Sequence, residues 1–571
     1  MAAPPRPERA LDPSSTTGGS STSTARGPCG TTWLGLAVIA WARHRRPGRA
    51  RRLAWQLAAL ALVSGAYESL FVRHGLNWLD EGWPLYAAMR LHAGGTLYRD
   101  VFFVFPPGHL LPAWLAFGLA PPGVVGARVL YAAFNVALCL ALHLLGRRLM
   151  PPGFALLGAL LLALAAPRSH LSHFLFGYRY LVFPTLALLA LAERLRRDEP
   201  RWLLPAGVAA GLSLCFRFDA ALAALAGIGV GLLTAARDAR TGLRDAAWLA
   251  AGFLLAAAPC VAWFAHQAGL AAVWREAVLR PLVMTGLQSL PIPELALPAS
   301  WSGFALERWF VALQFRAWPI LYLGYALALA ALWLRLRRQG RPFPHALLAA
   351  VVSWGGIYFL RSLGRADQAH LDSALPPVCL LLAHALSRAL HGRPPWLQLG
   401  GAAASLALFV HLECTAWVLP ASVRGWSPVV ALAGGVSVAE ERLEEVDSVA
   451  LWLRTRTLPG ERILDLSASP ILHVLADRPG PGHADVVMPG TFHDASEEQA
   501  FLARVRDAAP AAVVLPRQDF DRDPRRGLEA TAPRLLAWVR ERYRPAARTR
   551  HYLVMVPIDA APDPSAAPRT P

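Results

Sequence analysis

Residues 246–265 read AAWLAAGFLLAAAPCVAWFA, twenty positions without a charge. A helix of that length rises about 30 Å, the thickness of a bilayer's hydrocarbon core. Comparable apolar segments recur on both sides of it, near 53–72, 105–120, 124–146, 153–167, 171–193, 202–217, 219–236, 310–334, 344–361, 371–390 and 396–420. Over the whole chain of 571 residues, 55% are hydrophobic and 16% charged, with a mean hydropathy of +0.36. Such a composition excludes an ordinary soluble chain, a disordered one, collagen and a coiled coil. The expected fold class is an α-helical polytopic membrane protein with about 11 to 13 transmembrane helices.

The formal charge of +18 comes entirely from arginine, since the chain contains no lysine. Arginines cluster in short turns, as at Arg43, Arg45, Arg46, Arg49, Arg51 and Arg52, or at Arg335, Arg337 and Arg338. Basic turns of this kind stay cytoplasmic. Basic and aromatic residues do not interleave on a soluble face, so no nucleic-acid partner is expected. With the turns at 147–148, 194–201, 237–244, 335–341 and 391–394 inside, those at 168–179, 217–219, 266–309 and 361–370 fall outside, together with the loop 73–104 and everything after residue 420. This parity requires one segment between 105 and 146 not to cross. The segment 105–120, broken by Pro106, Pro107 and Pro112, is the one expected to be short, tilted or interfacial.

Residues 1–28, rich in Pro, Ser, Thr and Gly, are read as a disordered tail, 29–420 as the transmembrane domain, and 421–571 as a small extracytoplasmic α/β domain with a polar tail. In that last domain, helical patterns at 439–456, 497–508 and 532–543 alternate with strand-like Arg462–Leu466, Ala511–Leu515 and Tyr552–Val556. The six cysteines are scattered through apolar runs and read as core residues. Gly227, Gly229 and Gly231 lie inside an apolar helix and suit close packing better than a phosphate cradle.

Chemistry-bearing residues concentrate outside. Asp80 and Glu81 follow the first span, between Trp78 and Trp83, at the membrane interface. Partial desolvation there raises a carboxylate pKa and makes a general base useful near neutral pH. A cap for the helix beginning near Trp83 is the structural alternative for Asp80. Further on come Tyr98-Arg99-Asp100-Val101-Phe102 and Pro106-Pro107-Gly108, leading into the next apolar segment.

This arrangement resembles the GT-C class of multi-span membrane glycosyltransferases. That class includes the dolichyl-phosphate-mannose-protein mannosyltransferases, which are protein O-mannosyltransferases, and the aminoarabinose transferase acting on lipid A. The layout is similar across 53–571: many spans, long external loops near 73–104 and 266–309, and a C-terminal external domain. The resemblance implies transfer of a sugar from a polyprenyl-phosphate carrier to an envelope acceptor, on the outer face of a bacterial inner membrane. No cofactor is then required. A divalent metal is possible but not indicated, and no metal ligands are assigned.

By the same resemblance Asp80 is the general base of a single, inverting displacement, with Glu81 beside it. The departing phosphate needs cations, for which the candidates are Arg217, Arg365 and His370, because a guanidinium can grip two phosphate oxygens. Tyr98, Arg99, Asp100, Tyr178, Arg179, Asp219 and Asp367 are candidate pocket residues. Intramembrane pairs of Arg217 with Asp219 and of Arg365 with Asp367 are the competing reading, and an interfacial aromatic belt is the alternative for the tyrosines. His170 and His173 lack a third metal ligand nearby in sequence, and Asp521-Arg522-Asp523 reads as a solvated loop. A transporter or lipid-linked-sugar flippase, and a non-catalytic envelope scaffold, are the rival functions. A transporter would show paired repeats with interrupted helices, which the sequence lacks.

Overall fold

The computed structural model describes residues 47–165, 178–236, 238–301, 303–413 and 441–560, with a few positions between 429 and 437. The tail expected over 1–28, the turn bearing His170 and His173, and residues 561–571 lie outside the described residues. Residues 57–571 form one compact unit; of those before it, Pro47–Gln56 are described, as helix.

Among the described residues, six helices are long and apolar enough to cross a membrane: Val124–Gly146, Phe218–Ala235, Ala239–Ala268, Arg308–Arg338, Ala346–Leu363 and Pro395–Leu412. Pro152–Ala163 and Leu375–Ala389 are apolar but shorter. On the outer helices the apolar side chains have no protein cover: Leu254, Leu255 and Trp263 on one, and Ile320, Leu323 and Leu327 on another, are exposed. Lipid is the medium that removes such surface from water. The chain is a multi-pass membrane protein.

Glycines set the tightest helix crossing. A Cβ on Gly207 would lie 2.1 Å from the Leu249 carbonyl oxygen, and one on Gly252 2.1 Å from that of Leu204. Two backbones approach this closely only where neither carries a side chain. Gly227 and Gly231 similarly admit the helix carrying Ala350 and Trp354, whereas Gly229 faces open space.

The apolar segment near 105–120 does not form a span. It becomes a 3-10 turn, Pro107–Leu110, and a nine-residue helix, Leu111–Leu119. Nine residues rise only about 14 Å, and Pro106, Pro107 and Pro112 prevent an earlier start.

Glu193 binds Arg148, Arg196 (2.6 Å) and Arg197 (3.0 Å), and Arg194 pairs with Asp245 at 2.8 Å, which gathers the arginine-bearing turns at 147–148 and 194–201 with the start of the helix after 237–244. The turns at 77–80, 217–219, 288–289 and 361–370 gather instead around residues 465–531.

Beyond residue 440 a four-stranded sheet runs in the order Ile463–Asp465, Ala512–Pro516, Tyr552–Pro557, Tyr543–Arg548, with the first pair parallel and the others antiparallel. Helices Glu441–Arg456, Ala495–Ala508 and Pro533–Arg542 fall where the pattern predicted them. The strand Tyr543–Arg548 was hidden by Pro545, which the sheet accepts on its edge beside a bulge. Part of this region shares its core with the first loop: Trp83, Leu85, Phe102 and Phe103 bury in the same cluster as Val449, Ile463, Leu472 and Val514. Gly82 makes the contact possible, since a Cβ there would lie 2.6 Å from the Ile471 nitrogen.

Candidate active site

Asn77 shapes the turn that carries the adjacent carboxylates. Its Oδ1 accepts from the backbone N–H groups of Leu79 (2.9 Å) and Asp80 (2.5 Å), an Asx turn just before the helix Gly82–His92. The turn sends the two acids different ways. Glu81 is fully buried and grips Arg128, with Arg128 Nε donating at 2.6 Å and Nη2 at 2.7 Å. Arg128 also donates to the carbonyls of Val72 (3.0 Å) and Gly75 (2.6 Å), which ties the loop to the Val124–Gly146 helix. Asp80 faces a cavity of about 280 Å³, whose lining does not include Glu81. No side-chain cap serves the helix that follows, so Asp80 is not held there as an N-cap.

Five stretches of chain line the cavity: Asn77 to Asp80, Arg365, Leu466 to Ala468, Val487 to Pro489, and residues between Pro516 and Thr531. Burial pushes the Asp80 carboxyl up to about 7, Arg365 pulling against it while Asp367 and Asp521 add to the rise. A carboxyl at that value exchanges a proton near neutral pH. Arg365 is the cation on the cavity's membrane side: Nε pairs with Asp367 at 2.8 Å, and Nη1 and Nη2 reach both oxygens of Asp521 at 2.9 and 2.8 Å. Asp367 also accepts from the ring of His370 at 2.8 Å; burial opposes its ionisation, but His370 and Arg365 together hold it down at about 2. Burial lowers the pKa of His370, against the pull of Asp367.

A second polar cluster adjoins the first through His370. Asp219 lies between two guanidiniums, Arg217 (2.9 Å) and Arg361 (2.7 Å). Arg361 donates to the Ser373 hydroxyl at 2.8 Å, which donates to the His370 carbonyl at 2.6 Å. The Arg217 guanidinium stands 5.8 Å from the centre of the Phe105 ring. One carboxylate against two arginines leaves an excess of one positive charge, which suits an anion. Burial, and then the charges of Arg179, Arg217 and Arg361, keep the nearby His109 well below its ordinary pKa and hence neutral.

The other sequence candidates lie apart from the cavity lining. Tyr98 is buried in the core and donates to the Phe105 carbonyl at 2.8 Å. Asp100 closes its own turn, accepting from the Thr96 N–H at 3.0 Å and pairing with exposed Arg99 at 2.8 Å. Arg179 is buried with its guanidinium 4.0 Å from the centre of the Tyr131 ring. The side chain of Tyr178 lies outside the described residues. Both expected pairs, Arg217 with Asp219 and Arg365 with Asp367, are present.

Asp521 lies in an exposed turn, as read from sequence, yet its side chain also reaches the cavity and bonds Arg365 and Arg526, the latter at 2.6 Å. Polar sequence around it gave no sign of this, because the contact is made across the fold. Arg361 likewise joins the site only across the fold, through Asp219. Among the described residues, no group of three His, Cys, Asp or Glu side chains could hold a metal ion.

Residues 105–263 match the family described as dolichyl-phosphate-mannose-protein mannosyltransferase. No curated protein sequence matches the chain. Among solved structures, ArnT from Cupriavidus metallidurans bound to undecaprenyl phosphate is similar at 15% identity and a TM-score of 0.53, covering 94% of this chain and 100% of that one. The same protein in the apo state gives 17% identity and a TM-score of 0.55, over 89% and 98%. At such identities the likeness is one of fold. Signature and fold agree: the chain is similar to the GT-C class membrane glycosyltransferases of the protein O-mannosyltransferase and aminoarabinose transferase superfamily.

Proposed function

We propose that this protein is an integral membrane glycosyltransferase that moves a sugar from a polyprenyl-phosphate carrier to a cell-envelope acceptor. The observation that carries the reading is that Asp80 and Arg365 line one cavity, a proton acceptor and an anion ligand at the mouth of the helical region. Asp80 takes the proton of the acceptor's nucleophilic group as that group attacks the anomeric carbon. The bond from that carbon to the phosphate oxygen breaks with its electron pair, and a single displacement inverts the configuration. Arg217, Arg361 and Arg365 hold the departing phosphate, with His370 and Asp367 fixing Arg365 and the turn around it. Glu81 serves as the brace that aims Asp80, and Asp219 partly neutralises Arg217 and Arg361.

The family signature over 105–263 and the lipid phosphate bound by the ArnT protein support a polyprenyl-phosphate donor here. Counting Pro152–Ala163 and Leu375–Ala389, together with Pro47–Phe71, Val182–Arg197 and Leu203–Phe216, with the six long helices gives eleven crossings among the described residues, within the expected 11 to 13. The arginine-bearing turns then face the cytoplasm of a bacterial inner membrane, which leaves the cavity and residues 421–571, as an α/β domain, outside. A transporter would need its charged groups on a path through the bundle, whereas these meet at one end against a folded polar segment.

The test is Asp80→Asn in purified protein supplied with a radiolabelled polyprenyl-phosphate sugar and envelope extract. Loss of transfer with retained folding and retained carrier binding supports the reading. Retained transfer ends it.

A further inference from the structure

Four of the five N–H groups of Arg365 have partners within the chain. Nε–H is taken by Asp367, Nη1 by the Gln288 carbonyl at 2.9 Å and by Asp521, and Nη2 by the second oxygen of Asp521. The flat outer edge of the guanidinium, the edge that matches two oxygens of a phosphate, is therefore filled by the Asp521 carboxylate. Asp367 holds Arg365 from the same short stretch of chain. Asp521 comes from a distant loop, and that loop is under strain: Asp521 and Arg522 are consecutive non-glycine residues with φ of +54° and +58°. Such conformations are unfavourable for residues with a Cβ and persist where surrounding contacts impose them. Here the contacts are Asp521 on Arg365 and Arg526 on Asp521 and on the Ser289 carbonyl, the last at 2.7 Å.

We propose that Asp521 is an internal competitor for the donor's phosphate: its carboxylate holds the phosphate-binding edge of Arg365, and a phosphate monoester binds there by exchange with it. Asp521 is thus a positioning residue that sets donor affinity. This inference rests on Arg365 being a phosphate ligand, as proposed above. Exchange of one anion for another keeps Arg365 paired throughout, so no bare charge is left in the cavity. It also frees a strained loop next to Asp80, which couples arrival of the carrier to opening of the cavity on the side of residues 516–531.

The experiment measures binding of undecaprenyl phosphate, and separately of inorganic phosphate, to the full-length protein in nanodiscs. Asp521→Asn, nearly identical in size, is expected to tighten lipid phosphate binding roughly three- to tenfold, since the carboxylate that competes has gone. General damage to the fold would weaken binding instead. Arg526→Gln, which releases the loop but keeps the carboxylate, should tighten binding by a smaller factor. In the unaltered protein, hydrogen exchange over residues 519–527 should rise when undecaprenyl phosphate is added. Equal tightening for inorganic phosphate means that the phosphate group alone drives the exchange, while tightening for the lipid only means that the prenyl chain must deliver it.

Unchanged or weaker binding by Asp521→Asn, with Arg365→Ala still weakening it, overturns the competitor role alone. Unchanged binding by Arg365→Ala overturns the underlying assignment of Arg365 to phosphate.

Discussion

Asp80 and Glu81 are neighbours in the chain, yet Glu81 is closed off by Arg128 while Asp80 opens into the cavity. The buried pair fixes the direction of the acid that faces the cavity. Removing one partner of a buried ion pair strands the other, at a cost of about 3–5 kcal/mol. Arg128→Ala should therefore lower thermal stability sharply and abolish transfer, whereas the double replacement of Arg128 and Glu81 by Met and Leu should recover part of the stability. Melting of the detergent-solubilised proteins checks this, and equal stability of the single and double variants would contradict it.

Proton acceptance by Asp80 sets a pH profile. The carboxyl, held near 7 by burial, works as a base when ionised, so transfer should rise with pH through about 7 and fall by a factor of ten per unit below it. An acidic limb with a midpoint near 4 would show that the limiting base lies elsewhere.

Linkage gives a second readout of the same group. Because its folded pKa is raised, Asp80 binds more protons folded than unfolded between its ordinary value of 3.8 and about 7. Stability is full below that window and declines as pH rises through it. Asp80→Asn lacks this loss, so its melting temperature should exceed that of the unaltered protein at pH 8 and match it near pH 4.

The cluster of Arg217, Asp219 and Arg361 predicts an asymmetry. Arg217→Ala should weaken binding of the phosphate carrier about tenfold or more, the scale of a lost charge-assisted contact, with little effect on the acceptor's KM. Asp219→Asn, which removes the neutralising carboxylate, should leave carrier binding intact or stronger. Titration of both variants with undecaprenyl phosphate decides, and weaker binding by Asp219→Asn would mean that the acid is needed chiefly to place the arginines.

Gly82 reports on docking of the first loop against residues 471–476. Gly82→Ala puts a methyl group against the Ile471 backbone, an overpacking penalty of about 1–3 kcal/mol. Protease sensitivity after residue 440 should increase, and transfer should fall in step.

The helices were legible because lipid imposes one requirement on every crossing segment, a long and predominantly apolar run; the predicted 124–146 and the observed Val124–Gly146 agree to the residue. The failed span at 105–120 was legible too, through its prolines. Pairing across the fold was not. Local sequence shows that Asp80 is acidic and follows an apolar segment, but not that Glu81 meets Arg128, or that Asp521 crosses to Arg365. Those contacts depend on how loops far apart in sequence are brought together by the core they share. Composition cannot express that, and the exposed turn with alternating charges gave no sign that Asp521 also meets Arg365.

The shared core has an implication for biosynthesis. The wall opposite Asp80 is built from residues near the end of the chain, so a ribosome releases the last structural part of the cavity long after the first has entered the bilayer. A nascent chain halted before residue 516 would carry the acid and most of the helices but no enclosed chamber. Such an intermediate would be inert, and premature attack on lipid carriers during insertion would be avoided by the order of translation alone.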